Sequence, residues 1–234
     1  MDIVYLVKQC QTNDELTYSL RSLKNLPHNR VFIVGGCPTN INKSKIIYKP
    51  ILQNQSKYKN TTYNLKQICQ DKDLSDDFIL MNDDFFVLKP ISDLVNELNL
   101  CRGTIKDVLA DYKSRYGVMN DYTNGMKQTM IFLQDIGILE PLSYELHIPM
   151  IINKQKFLKM FELPYINSIK VLHKRSLYGN LYNKDSKPIL DVKVLASYFL
   201  PLGSDKFLST EDNSWPIVKT YVGRLFPNKC EYEI

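Results

Sequence analysis

The chain has 234 residues, of which 44% are hydrophobic and 24% are charged, and it carries a formal net charge of +5. This composition is that of a globular protein with a sizeable core, and it excludes a disordered or collagen-like chain. The 9 Gly and 11 Pro leave no extended flexible linker, so we expect a single domain.

The start of the chain predicts a buried strand rather than a secretion signal. Asp2 stands where a signal peptide has Lys or Arg, and the apolar run that follows ends at Val7. A run of about eighteen apolar residues occurs nowhere, so the sequence predicts no transmembrane helix. The 5 cysteines are an odd number without a C-x-x-C pair, which argues against a disulfide framework and a zinc site. We therefore expect a protein of the reducing cytoplasm.

A strand, a helix and a second strand open the chain. Residues 2 to 8 are almost continuously apolar, as is typical of parallel strands that are buried on both faces. Leucines recur at helical spacing in residues 13 to 23, and residues 31 to 34 form a second apolar run that ends in Gly35-Gly36. This order predicts a β-α-β unit and therefore a parallel sheet.

A third predicted strand ends in polar side chains. Residues 41 to 59 are a lysine-rich loop with a short strand near residue 47, and residues 60 to 70 predict a helix. Residues 78 to 81 are strongly strand-like and end at Asn82-Asp83-Asp84. The later segments are residues 102 to 136 with mixed helical and loop signals, residues 154 to 162 with a helical pattern, and residues 188 to 200 with apolar runs.

Charge is distributed unevenly along the chain. Residues 71 to 97 contain eight acidic residues against Lys72 and Lys89, whereas residues 41 to 60 contain five lysines and no acid. Residues 154 to 187 contain eight basic residues against two acidic ones. An acidic centre between basic segments suits a metal site that receives a phosphorylated substrate. The alternative is that the lysines only solvate the surface.

The Asn82-Asp83-Asp84 turn is the candidate centre for chemistry. Ligands of open α/β sheets bind outside the carboxyl ends of the strands, where this turn is expected to lie. Two adjacent carboxylates in an enclosed site need a compensating cation, and oxygen ligands favour Mg²⁺ or Mn²⁺. The alternative is an Asp-Asp turn that caps the next segment in water.

Several segments taken in chain order resemble a known family. They are residues 2 to 5, residues 13 to 23 with the motif Asn-Asp-Glu-Leu-x-Tyr-Ser-Leu-Arg-Ser, residues 31 to 36, and residues 78 to 86 around Asn82-Asp83-Asp84. Together they resemble the Stealth family of sugar-phosphate transferases. Two later segments, residues 145 to 150 and residues 175 to 180, resemble the histidine-containing and arginine-containing segments of that family. The chain is shorter than typical Stealth proteins and lacks their spacer regions.

The resemblance implies an α/β fold of the glycosyltransferase-A type, with a mostly parallel sheet flanked by helices in a single domain. It implies a nucleotide-sugar-binding half at residues 1 to 100 and an acceptor-side half at residues 101 to 234. The implied enzyme is a glycosyltransferase that moves a sugar from a nucleotide-diphosphate sugar to a hydroxyl acceptor. Mn²⁺ or Mg²⁺ is the implied metal cofactor.

The resemblance also assigns catalytic and metal-binding roles. Asn82 takes the first place of the family's Asp-x-Asp signature, so Asp84 is the expected direct metal ligand. Asp83 is expected to bind sugar hydroxyls, or the ion through water. His147 is expected to act as a further metal ligand or on the phosphate, against the alternative of a structural histidine.

Four side chains are the expected donor-binding residues. Tyr5 is expected near the nucleotide base and Arg21 near a donor phosphate, although both could equally belong to the core or cover a helix. Lys174 and Arg175 are expected to clamp the diphosphate oxygens. The sequence does not rank the candidates for a catalytic base, which are Asp121, Asp135, Glu211 and Asp212.

Other functions remain open at this stage. The basic segments and the tyrosines Tyr112, Tyr116 and Tyr122 suit an acceptor such as a hydroxymethylated base in DNA. A Stealth-type sugar-phosphate transferase acting on a cell-envelope glycan is the alternative. A non-catalytic nucleotide or nucleic-acid binding module is a third possibility, although carboxylates in the site argue against it. P-loop and dinucleotide-binding motifs do not occur in the sequence.

Overall fold

The computed structural model describes residues 1–52, 55–195 and 204–234. The strands of this part are β1 (Asp2–Val7), β2 (Val31–Gly35), β3 (Ile47–Pro50), β4 (Asp77–Met81), β5 (Phe85–Val87), β6 (Leu100–Cys101), β7 (Met150–Asn153), β8 (Lys187–Pro188) and β9 (Phe207–Ser209). The helices are α1 (Asp14–Ser22), α2 (Lys57–Cys69), α3 (Leu94–Leu98), α4 (Ile105–Tyr116), α5 (Asp121–Asp135), α6 (Lys154–Lys159), α7 (Lys174–Tyr182) and α8 (Trp215–Leu225).

A five-stranded sheet with the order β3-β2-β1-β4-β7 forms the centre of the molecule. Its first four strands are parallel, and β7 pairs antiparallel with β4. Helices cover both faces of a parallel sheet, so both faces of its strands are buried. This burial explains why the strands are apolar along almost their whole length. Tyr5 of β1 lies between Ile33 of β2 and Met81 of β4. The predicted parallel sheet and its three predicted strands are therefore confirmed.

The two faces of the sheet carry separate cores. Alternate residues of β1 point to opposite faces, so Ile3 packs in the cluster of Leu16 and Leu20 from α1. Val4 packs in the other cluster, with Leu65 of α2. Burial of these side chains from water is the main force that holds the helices on the sheet.

A smaller antiparallel pair, β5 and β9, continues the chain beyond the Asn82–Asp84 turn. Phe86 of β5 stacks on Trp215 of α8 with ring planes 5° apart, and Val218 and Val222 of α8 belong to the same third cluster. The backbone amide of Val194 donates to the carbonyl of Ser209 in β9. The pair therefore fixes residues 192 to 194 beside the turn.

The region of mixed signals at residues 102 to 136 is two helices. Thr104 caps α4 and Asn120 caps α5 through their side chains, and Gly117 ends α4 with a φ of 71°. These capping residues are recognisable in a sequence and could have separated the two helices. Of the predicted apolar runs at residues 188 to 200, those after residue 195 lie outside the described residues.

The predicted acidic centre is divided in two by β4. Asp71 and Asp73 precede the strand, whereas Asp83 and Asp84 follow it. A strand of this length separates its two ends by roughly 17 Å. The negative charge of residues 71 to 97 therefore does not form one site.

In the described ranges, no helix combines the length and apolar character that spanning a membrane requires.

Candidate active site

A cavity of about 1350 Å³ opens at the carboxyl ends of β1 and β4, where Leu6, Leu80 and Asn82 line it. Its other walls come from α2, α4, the start of α5, and the segments at residues 145–147, 171–175 and 190–195. Ligands of open α/β sheets bind at this end of the strands. This cavity is therefore the candidate active site.

His147 and Asp191 form a hydrogen-bonded pair in the wall of the cavity. Nδ1 of His147 lies 2.9 Å from Oδ2 of Asp191 and 3.0 Å from Oδ1. Burial alone would raise the pKa of Asp191, but His147 and Arg102 hold it below its usual range. Because Nδ1–H donates to the carboxylate, Nε2 of a neutral imidazole carries the free lone pair. This nitrogen can accept a proton from a substrate or bind a metal ion.

Arg175 lines the same cavity as His147 and makes hydrogen bonds through two of its three guanidinium nitrogens. Its Nε donates to the carbonyl of Tyr144 at 3.2 Å and its Nη2 to that of Ile148 at 2.6 Å. Nη1 is buried and has no hydrogen-bond partner among the described residues. Burial lowers the pKa of Arg175. A buried guanidinium with a free N–H group is suited to binding an anion such as a phosphate oxygen.

Phe85 brings His147 and Arg175 together. The guanidinium carbon of Arg175 lies 5.6 Å from the centre of the Phe85 ring, and the ring of His147 meets it edge-on at 6.1 Å. Phe85 follows Asp84 directly and is buried. The turn at the end of β4 thus supplies the apolar surface on which both polar side chains pack.

Glu145 is a carboxylate with 16% side-chain exposure that packs against the first turn of α7. It accepts hydrogen bonds from the backbone amide and the hydroxyl of Ser176, both at 3.1 Å. Nδ1 of His173 lies 3.6 Å from its Oε1. Burial alone would raise the pKa of Glu145, but His173, Arg175 and Lys174 hold it at about 2. The carboxylate is therefore ionised and anchors the segment that carries Lys174 and Arg175.

Asp83, the first carboxylate of the turn, faces the start of α1. Oδ2 of Asp83 accepts a hydrogen bond of 2.6 Å from the side-chain amide of Asn13, the residue that also caps α1. Burial and then the charge of Asp84 raise the pKa of Asp83 to about 6. Burial, Asp83 and Asp84 raise the pKa of Glu15 to about 7. Two segments of the family resemblance, at residues 13 to 23 and 78 to 86, therefore meet here.

Asp84 already has a cationic partner. Its Oδ2 accepts from the hydroxyl of Ser209 at 3.2 Å and lies 3.6 Å from Nζ of Lys193. Lys193 lines the cavity, whereas Asp83 and Asp84 lie outside its lining. In the ranges that the structure describes, no three His, Cys, Asp or Glu side chains are grouped so that they could hold a metal ion. The side chains around Asp84 therefore do not fit a divalent cation.

Tyrosine rings form one wall of the cavity. Tyr112 lies 5.0 Å from Tyr116 and 6.0 Å from Tyr122, measured between ring centres, and Tyr122 lies 6.4 Å from Tyr58. Tyr116 is half exposed, whereas burial raises the pKa of Tyr122 well above its usual range. The rings thus lead from the surface into the molecule and can stack on a ring of a substrate.

The structure brings together some of the predicted site residues. His147, Lys174 and Arg175 line one cavity with Asn82 of the predicted turn. Lys174 donates to the hydroxyl of Thr61 at 3.1 Å, and burial lowers its pKa. The histidine and arginine segments therefore meet at the carboxyl end of β4.

Tyr5 and Arg21 are placed away from this cavity. Tyr5 is fully buried in the core, and its hydroxyl lies 2.9 Å from that of Ser19. Arg21 forms two hydrogen bonds of 2.7 Å to the carboxylate of Glu233. Neither side chain lines the cavity.

The structure separates the four candidate bases. Asp121 pairs with Lys170 at 3.0 Å on the surface, and Asp135 is exposed at the end of α5. Asp212 raises the pKa of Glu15 and Asp83, so it belongs to the acidic group beside α1. Glu211 lines the cavity.

Sequence reasoning missed Asp191, Glu145 and Lys193. Asp191 stands 44 residues from His147, and its role depends on a contact between two loops. Glu145 is within the recognised histidine segment, so its position two residues before His147 was a usable signal. Lys193 follows Asp191 by two residues, but the sequence offers no signal that it lies next to Asp84.

Comparison with solved structures identifies the type of fold. No protein-family model matches the sequence, and no curated protein matches it. The chain is similar to the structure of an active-site mutant of LgtC, with 13% identity and a TM-score of 0.52 over 99% of this chain and 98% of that chain. It is also similar to the galactosyltransferase LgtC in complex with donor and acceptor sugar analogs, with 12% identity, a TM-score of 0.50 and the same coverage. The chain has a glycosyltransferase-A-like fold.

This finding confirms the predicted fold class, an α/β single domain with a mostly parallel sheet. The glycosyltransferase GlyE of Streptococcus pneumoniae TIGR4 is similar at 11% identity and a TM-score of 0.39, over 98% of this chain and 52% of that chain. Since no family model matches, the part of the prediction that is specific to Stealth proteins has no support from these comparisons.

Proposed function

We propose that the chain is a glycosyltransferase that moves a sugar from a nucleotide-diphosphate sugar to a hydroxyl acceptor. One observation carries the proposal. In a glycosyltransferase-A-like fold, the cavity at the end of β4 holds both a carboxylate-oriented histidine, His147, and a buried guanidinium with a free N–H group, Arg175. The first group suits proton removal from an acceptor hydroxyl, and the second suits the diphosphate leaving group.

Each side chain has one task in this proposal. Nε2 of His147 accepts the proton of the acceptor hydroxyl while its oxygen bonds to the anomeric carbon of the sugar. The bond from that carbon to the diphosphate oxygen breaks, and the leaving diphosphate takes its electron pair. Nη1 of Arg175, together with Lys174, stabilises the negative charge of the leaving group.

The predicted metal and the predicted division of the chain stay predictions. Mn²⁺ or Mg²⁺ at Asp83 and Asp84 is not assigned a step, because the side chains around Asp84 do not fit it. A donor half at residues 1 to 100 and an acceptor half at residues 101 to 234 agree only in part with this assignment. Lys174 and Arg175 would serve the donor from the second half.

We favour a glycan hydroxyl over DNA as the acceptor. Several lysines of the basic segments pair with carboxylates of the same chain, for example Lys49 with Asp71 at 2.6 Å and Lys154 with Asp76 at 3.3 Å. A DNA-binding enzyme loses affinity as salt rises, by a slope of about −0.9 per phosphate contact. Binding to a hydroxymethylated duplex with such a slope would contradict the glycan acceptor.

Nucleotide release from a panel of uridine, guanosine, cytidine and adenosine diphosphate sugars tests the proposal. The assay uses the full chain with and without Mn²⁺, and chromatography identifies the products. We expect release of a nucleoside diphosphate, which His147→Gln abolishes and the control His28→Gln leaves unchanged, because His28 bonds Leu26 and Tyr232 outside the cavity. Release of a monophosphate would instead support the Stealth-type sugar-phosphate transferase. If no donor binds and no nucleotide is released, the result would support a non-catalytic module of another kind.

A further inference from the structure

We propose that Lys193 supplies the positive charge that Asp-x-Asp transferases take from a divalent cation, so that this chain transfers sugar without metal. The inference rests on the proposed function and concerns the same cavity. Nζ of Lys193 lies 3.6 Å from Oδ2 of Asp84, at the signature's second carboxylate.

The backbone holds Lys193 firmly in this place. The amide of Val194 donates to the carbonyl of Ser209 at 2.9 Å, and the amide of Ser209 donates to the carbonyl of Val192 at 3.2 Å. The two residues that flank Lys193 are thus tied to Ser209. The hydroxyl of the same Ser209 donates to Asp84 at 3.2 Å. Ser209 therefore positions both Lys193 and Asp84.

The side chains of the turn offer few free ligand atoms to a divalent cation. Asn82 replaces the first carboxylate of the signature with a neutral amide. Oδ2 of Asp83 is turned to Asn13, which donates to it at 2.6 Å. In the described residues, the acidic group beside α1 has no three side chains grouped so that they could hold a metal ion, whereas Mg²⁺ sites rely on carboxylates placed around the ion. An ammonium beside Asp84 also repels a second cation at that oxygen.

Lys193 is placed to reach the donor while Asp84 is not. Lys193 lines the cavity together with Lys174 and Arg175, and Asp84 lies outside the lining. An ammonium has three N–H donors, so one can face Asp84 and the others can face phosphate oxygens. When the bond between sugar and diphosphate breaks, these N–H groups stabilise the electron pair on the leaving oxygen. No proton is transferred from Lys193 in this step.

The test measures nucleoside diphosphate release from the best donor, in EDTA and in Mn²⁺. We expect the wild-type chain to work in EDTA and Mn²⁺ to change its rate by less than about twofold. Lys193→Met keeps the length of the side chain without its charge. It should lose about 10- to 100-fold in kcat in EDTA, the effect of removing a charged hydrogen bond. Lys193→Arg should retain part of the activity, and Mn²⁺ should rescue Lys193→Met because Asp84 is then free to bind it.

Lys219→Ala is the matched control, because Lys219 pairs with Asp14 on the surface at 2.5 Å. Calorimetry with uridine diphosphate and the other nucleoside diphosphates in EDTA measures ground-state binding separately. A wild-type chain that releases nucleotide only with Mn²⁺ or Mg²⁺ would overturn the role of Lys193 and leave the proposed function intact. Unchanged turnover of Lys193→Met in EDTA would overturn it too. Failure to bind or use any donor in either condition would reject both proposals.

Discussion

Asp191 is the side chain that gives His147 a defined tautomer. Its carboxylate accepts from Nδ1 at 2.9 Å and also lies 3.5 Å from Nη1 of Arg102. A histidine that donates through Nδ1 keeps Nε2 free for a proton or a ligand. In the proposed mechanism, the histidine therefore depends on a residue that itself need not contact the substrate.

Asp191→Asn should lower kcat about 10- to 100-fold, because an amide does not hold the imidazole in one tautomer and lacks the compensating charge. Affinity for a nucleoside diphosphate should stay unchanged, since His147 does not bind the leaving group in the proposed mechanism. Steady-state kinetics and calorimetry check the two parts. Asp73→Asn, at the opposite end of β4 and exposed, is the matched control. Equal losses in kcat and in affinity would contradict a positioning role.

Glu15 makes the stability of the protein depend on pH. Burial, Asp83 and Asp84 raise its pKa from an ordinary 4.5 to about 7, so the folded state keeps a proton that the unfolded state loses. The contribution to the free energy of unfolding is complete below about pH 4.5 and is lost as pH rises to about 7. Above that range the ionised carboxylate destabilises the fold.

Glu15→Gln should therefore raise the free energy of unfolding at about pH 8 by roughly 1 to 2 kcal/mol more than at about pH 5. Solvent around the half-buried side chain screens part of the full effect. Urea unfolding at the two pH values measures the difference. The exposed Glu140→Gln should show no such difference, and an equal effect of Glu15→Gln at both pH values would disprove the account.

At the scale of elements, α5 holds the segment that enters α7 with His173, Lys174 and Arg175. Gly125 of α5 contacts the backbone of Val171 so closely that an added Cβ would lie 2.1 Å from the Val171 carbonyl oxygen. Thr129, one turn further along α5, accepts from the backbone amide of His173 at 3.3 Å. The helix thereby positions one side of the cavity.

Gly125→Ala should destabilise the protein by about 1 to 3 kcal/mol, because the backbone of residue 171 must move to admit the methyl group. Thermal unfolding measures the loss, and activity should fall with it because Lys174 and Arg175 shift. Gly223→Ala in α8 is the control. Its added Cβ would meet the Tyr18 hydroxyl at 3.5 Å, an ordinary contact, and alanine favours a helix by about 1 kcal/mol. Equal melting temperatures of the two variants would refute this explanation.

At the scale of the whole molecule, an ion pair ties the end of the chain to its first helix. Arg21 of α1 binds both oxygens of Glu233 at 2.7 Å, and the Glu233 side chain is 5% exposed. Arg21 also donates to the carbonyl of Phe226 at 3.1 Å. Residues 226 to 233 are thereby fixed against the first β-α-β unit.

Arg21→Met should lower the free energy of unfolding by about 3 kcal/mol, since it leaves a buried carboxylate without its partner. Nucleoside diphosphate affinity should be unchanged, which separates this structural role from the donor-phosphate role that the sequence predicted. Chemical unfolding and calorimetry make the comparison. Arg224→Met removes an exposed arginine of α8 and serves as the control. A loss of affinity without a loss of stability would support the sequence-based role.

The sequence alone determined the central strands, the parallel sheet and the polar turn after β4. Those features follow from local patterns: near-continuous apolar runs such as residues 2 to 8, helical spacing of leucines, and Asp83 and Asp84 directly after a strand. The two later segments of the resemblance also predicted His147 and Arg175 as site residues, and both side chains line the candidate cavity. The resemblance thus reached further than composition or periodicity did.

Only the tertiary structure decided which charges face each other. Asp191 meets His147, Lys193 meets Asp84 and Arg21 meets Glu233 across 44, 109 and 212 residues of chain. Such pairs leave no periodic trace in a sequence, because each depends on how loops from different elements converge. The cavity, the partner of Asp84 and the structural role of Arg21 therefore came from packing and not from pattern.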